Sequence, residues 1–205
     1  MSAKATRLPA AERRQAIVES ALRVFVGRSY SGTTTAEIAR EAGVSAGLIY
    51  RHYASKDDLV VAMVEQHQQQ ELADIAAAAQ EPTLAAALDH FFLASLASDE
   101  LRSEALLYAE VIAEALRNER IEAVVRANSH AVSGALAALI ATAQARGEAD
   151  AALDPALTAE LLLAFNDGLL LHNAFGASAA TADVERQQQA LRALYRRVLG
   201  IQQTP

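Results

Sequence analysis

An all-α fold of about nine helices follows from three features of this 205-residue chain. Aromatic residues make up 5% of it and alternating β-branched runs are absent, so strands lack their usual constituents. Ala and Leu recur at helical spacing almost throughout. Breakers of the Gly, Pro, Asn and Asp type then cut that spacing into separate rods. The chain is 52% hydrophobic, which supplies a core and excludes wholesale disorder. It contains no Cys, so disulfides, thiolate nucleophiles and Cys-ligated zinc are excluded.

The first helix is expected from Pro9 to Arg28, with proline in its first turn and Ile17, Ala21, Val24 and Phe25 on one face. Gly27, Gly32 and the Thr33-Thr34-Thr35 run break it. Thr34 with Glu37 three residues on is a capping box for a short helix to Ala42. Gly43 stops that helix where a left-handed backbone is needed. Ser45 caps another short helix through about Arg51, and Ser55 with Asp58 caps a long one from Lys56 to about Ala79. Pro82 ends that region. Further helices are expected over Leu84–Ala97, Leu101–Leu116, Ile121–Ala145, Ala156–Phe175 and Ala182–Ile201. The breakers between them are Asp99, Arg117-Asn118, Gly147, Pro155 and Gly176. Ala127 to Ala145 is uncharged but contains Asn128, Ser129, His130, Ser133, Thr142 and Gln144, so it reads as a buried helix and not a membrane span.

Charge divides the chain in two. Net charge is −7, yet residues 1–56 carry +5 and residues 57–205 carry −12. A basic head on an acidic body suggests that only the head meets a polyanion. Domains are therefore expected at 1–56 and 57–205. No secretory signal opens the chain, and a cytoplasmic location is expected.

Thr34 to Lys56 has the chemistry of a helix-turn-helix. Ala39 is small enough for a second helix to cross closely, Gly43 permits the turn, and Val44 with Ile49 fills the angle. The second helix would then offer its N-terminal residues to a DNA major groove. An αα-corner inside a bundle is the structural alternative.

The run Thr33-Thr34-Thr35-Ala36-Glu37-Ile38-Ala39, then Ala42-Gly43-Val44-Ser45-Ala46-Gly47-Leu48-Ile49-Tyr50-Arg51-His52-Tyr53 with Ser55-Lys56, resembles the DNA-binding domain of TetR-family transcriptional regulators. Leu153-Asp154-Pro155 and Asp167-Gly168-Leu169 resemble parts of that family's ligand-binding and dimerisation domain. Leu48 departs from the small or hydroxylated residue that many relatives carry. The resemblance implies a homodimeric repressor released from a palindromic double-stranded DNA operator by a small effector, with an activator of the same fold as an alternative. It assigns DNA contact to Thr34, Ser45, Ala46, Gly47, Tyr50, Arg51, His52 and Lys56. Thr34 would meet a phosphate, Ala46 and Gly47 would permit close approach, and His52 and Lys56 would clamp the backbone. Tyr53 is expected in the core. Arg40, Lys4 and Arg7 would add unspecific charge.

The segment Gly43-Val44-Ser45-Ala46-Gly47 also satisfies the G-x-S-x-G pattern of a serine hydrolase. That elbow needs a buried strand before it, and a capped helix stands there instead. No cofactor or metal is expected: the five histidines lack ligand spacing, and phosphate-loop and dinucleotide fingerprints are absent.

In the body, Leu157, Leu161, Phe165 and their neighbours make one helix apolar all round, and Leu191, Leu194, Tyr195 and Val198 extend the pattern in the last helix. Such helices need cover on more than one side, as a dimer would provide. His90, Tyr108, Asn128, His130, Asn166 and His172 are polar groups within apolar helices and are the candidates for an effector pocket, with Glu110 beside them. Asp167 is read as architectural.

Overall fold

The computed structural model describes residues 9–96, 101–175 and 181–201. Lys4, Arg7, Asp99 and Gly176 lie outside the described residues. The described residues form helices α1 (Ala10–Arg28), α2 (Thr35–Glu41), α3 (Ala46–His52), α4 (Lys56–Ala78), α5 (Leu84–Leu96), α6 (Leu101–Ala115), α7 (Glu119–Ala145), α8 (Pro155–Phe175) and α9 (Thr181–Val198), with no strand among them.

Two apolar cores organise these helices. The first gathers Ile17, Ala21 and Phe25 of α1, Ile38 and Ala39 of α2, Ile49 of α3, and Tyr53. It also takes Leu59, Val60, Met63 and Val64 from α4, with Ala115 and Ile121 from further along the chain. The packing unit of the head therefore runs past residue 56. The second core joins Ile75, Leu88, Phe92, Leu136, Ile140, Tyr195 and Leu199. Burial of each large side chain contributes about 1.5–3 kcal/mol, so these clusters hold the helices against one another.

Helix ends follow local chemistry, including three that sequence reasoning misplaced. Pro155 is not a breaker but the first residue of α8, where its missing N–H costs nothing. Asp154 precedes it and accepts from the Ala156 amide at 2.9 Å. Asn118 likewise caps α7, through the Arg120 and Ile121 amides, so that helix begins earlier than Ile121. Gly200, at φ 66°, stops α9 before Ile201, and the Ile201 amide returns to the Arg196 carbonyl at 2.9 Å.

The uncharged stretch falls in α7, which by length and hydropathy alone could cross a membrane. Here Val132, Leu136, Ile140 and Ala143 turn into the core. Ser129 and Thr142 satisfy their hydroxyls on carbonyls one turn earlier, at 3.1 and 2.8 Å. The expectation of a buried helix holds for that one face, while Asn128 is half-buried and His130 is exposed.

Candidate nucleic-acid interface

The α2–turn–α3 unit is assembled by caps. The Thr34 hydroxyl accepts from the Glu37 amide at 3.3 Å, and Glu37 accepts from the Thr34 amide at 2.9 Å. The Thr34 backbone N–H, followed by the Thr34 hydroxyl, which donates to the same carboxylate at 2.9 Å, holds the Glu37 carboxyl below the usual range, and Arg28 at 2.5 Å adds to the effect. At the other end Gly43 has φ 65°. Its amide reaches the Arg40 carbonyl at 3.2 Å, and the Val44 amide reaches that of Ala39 at 2.9 Å. This pairing satisfies the last carbonyls of α2 and turns the chain toward α3. Ser45 then caps α3 by accepting from the Leu48 amide at 3.3 Å.

One side chain sets which way α3 faces. Ile49 is fully buried against the first core, and Tyr53 follows it inward as expected. The opposite face carries Ser45, Gly47, Tyr50 and Arg51, all exposed, with Tyr50 at 56%. Ala46 and Leu48 are half-buried at its edge. Thr34 is exposed at the start of α2. The structure thus brings Thr34, Ser45, Gly47, Tyr50 and Arg51 to the surface of one small unit.

Two of the expected clamps are placed differently. The Lys56 ammonium donates to the Tyr30 and Thr33 carbonyls at 2.8 and 2.7 Å and lies 4.4 Å from the centre of the Tyr30 ring. Two of its three donors are therefore engaged within the protein. His52 is half-buried, and its Nε2 is buried without a hydrogen-bond partner among the described residues.

Residues 17–63 match the family model for bacterial regulatory proteins of the tetR family, and residues 82–200 match that for the C-terminal domain of BetI-type transcriptional repressors. The chain belongs to the TetR family. It is 26% identical over 159 residues to the HTH-type transcriptional regulator UidR of Escherichia coli, which spans 77% of this chain and 79% of UidR. The solved structure of Salmonella enterica GusR superposes with a TM-score of 0.78 at 25% identity, over 97% of this chain and all of that one. A transcriptional regulator from Saccharomonospora viridis in complex with choline shares the fold, with a TM-score of 0.79 at 22% identity over 94% and 100% of the two chains. As a member of this family the chain is a DNA-binding transcriptional regulator and not an enzyme. The hydrolase alternative falls with it, since Ser45 is a helix cap that follows α2 and a turn.

In the body of this TetR-family chain, the six effector candidates separate. The Tyr108 hydroxyl donates to Asp167 at 2.8 Å, and Asn128 donates to Glu71 at 3.4 Å. His67 lies 3.5 Å from Glu71. A polar cluster thus forms between α4, α6, α7 and α8. Burial pushes the carboxyls of Glu71 and Asp167 above their ordinary range and raises the Tyr108 phenol. Asn166 is half-buried on α8.

The inward placement expected of His90, His130 and His172 is corrected: all three are exposed. His90 sits on the outer face of α5, 3.2 Å from Glu81, and His130 lies off the Val132–Leu136–Ile140 stripe that α7 buries. Sequence reasoning missed Glu71 and took Asp167 as architectural. Their partners are 57 and 59 residues away, so no local spacing signals them. A separate cleft of about 300 Å³ between α4, α5 and α7 is lined by Leu72, Leu84, Leu139 and Arg146, and by none of the six.

Proposed function

We propose that this regulator is a homodimeric repressor that a small effector releases from a palindromic operator. The observation that carries the reading is α3, fixed by Ile49 with Gly47, Tyr50 and Arg51 on its solvent side. Ala46 and Gly47 let the helix backbone approach the base edges, Tyr50 and Arg51 reach bases or phosphates, and Thr34 and Ser45 offer helix N-termini to phosphates. His52 and Lys56 stand behind that face. Residues 1–56 read DNA, and residues 57–205 dimerise and sense. Reading DNA places the protein in the cytoplasm.

Dimerisation rests on α8 and α9. Leu157, Leu161 and Phe165 are 55%, 62% and 45% exposed, and Leu194 and Val198 of α9 are 42% and 48% exposed. Apolar side chains left out in rows on two helices suit an isologous contact with a second copy. The polar cluster of Tyr108, Asn128, Glu71 and Asp167 is where an effector would act, and its two carboxylates favour a cationic or amphiphilic one. An effector that prefers a body with another head spacing weakens binding to two major grooves about 34–36 Å apart.

Selection from DNA flanking the protein's own coding sequence, followed by footprinting, tests the proposal. The expected result is protection of two inverted half-sites. Retention of no duplex, or protection of one unrepeated half-site, overturns it.

A further inference from the structure

The turn that leads into α2 is gripped from the body. Tyr30, outside any helix, donates its backbone amide to Glu110 of α6 at 2.9 Å, a contact between residues 80 positions apart. Its hydroxyl donates to Asp57, which also accepts from Asn118 at 2.8 Å. Its ring packs on Phe25 with centroids 5.5 Å apart and carries the Lys56 ammonium on its face. Lys56 ties the same turn at the Tyr30 and Thr33 carbonyls. Thr34, the cap of α2, comes next.

Within this grip Glu110 has a distinct place. Asp57 and Lys56 open α4 and belong to the packing unit of the head. Glu110 comes from α6, a helix that also packs against α7 and α8, and bonds the turn's backbone directly. A backbone N–H outside a helix needs such an acceptor, and a carboxylate is a strong one.

We infer that Glu110 is a positioning residue for DNA binding: its carboxylate holds the Tyr30 turn, and with it the start of α2, in the orientation a duplex requires. The inference rests on the DNA-binding reading. Without the carboxylate the turn is free to reorient, and binding must order it again at the cost of affinity. The acceptor oxygen is what holds the turn, and the neutral amide of a Gln side chain supplies one as well.

The test uses the full-length protein and a duplex that the wild type enriches from a random-sequence pool. Glu110→Ala should weaken binding about tenfold, measured well below its melting temperature, while Glu110→Gln, which keeps an acceptor oxygen, stays within about twofold. Hydrogen exchange at the Tyr30 amide should accelerate in Glu110→Ala alone. The salt dependence of binding should keep its slope in both, because no phosphate contact is lost. Should Glu110→Ala not fold, Glu110→Asp, one methylene short of the amide, is expected to show the same loss. Wild-type affinity alongside a faster Tyr30 amide overturns the inference, as does an equal change in the Ala and Gln variants. A wild type that enriches no duplex overturns the DNA-binding reading and this inference together.

Discussion

Head and body are stabilised by different means. In the head, short helices are fixed at their ends: Thr34 with Glu37, Gly43, Ser45, and Ser55 with Asp58 define where each begins or stops. In the body, Asn118 and Asp154 cap helix ends as well, but the long helices are placed by packing along their sides, and α8 leaves one side bare. Local chemistry therefore specifies the head, whereas the body's outer face is specified only by what covers it.

The largest effect should come from spoiling the bare side. Leu161→Glu combined with Phe165→Glu should leave the chain folded, because both residues are exposed, yet convert the proposed dimer to monomer in sedimentation. Operator affinity should fall about 100-fold or more as the two heads lose their link. An unchanged dimer would remove the distinction between the two regions.

Truncating the head's anchor comes next. Ile49→Ala should cost about 2–5 kcal/mol in denaturant unfolding, since the side chain is fully buried. Loss of the head's protection with the body's amide exchange little changed would sharpen the contrast. Gly43→Ala should cost about 1–2 kcal/mol by forcing a β-carbon into a left-handed turn, read as a lower melting temperature.

The smallest effect concerns pH, and its sign differs between the regions. Glu37 is lowered in the fold, so its stabilisation is complete above its unfolded range and is lost as pH falls through the folded value. Asp167 and Glu71 are raised by burial, so falling pH protonates them in the fold first and relieves a penalty. Mild acid should firm the body before stronger acid loosens the head. Asp167→Asn should accordingly raise the melting temperature at neutral pH by about 2 °C, a gain that shrinks on acidification.

Much of the head was legible because its signals are local. Thr34 and Glu37 are three residues apart, as are Ser55 and Asp58, and Gly43 follows its helix directly. The body was legible as helices but not as faces. His130 and Asn128 sit two residues apart on α7, and only packing against α4 and α8 decides that one turns inward. Lys56 shows the same limit inside the head, since its partners Tyr30 and Thr33 are fixed by how α4 returns along α1.

One helix belongs to both regions. α4 gives Leu59, Val60, Met63 and Val64 to the first core and Ile75 to the second, with Leu72 packed against it. A chimera that borrows a reading head from a relative cannot be spliced at residue 56 without cutting through a packed interior. The seam belongs beyond Val64, in the stretch of α4 that neither core claims, and the graft must bring compatible neighbours for Ala115 and Ile121.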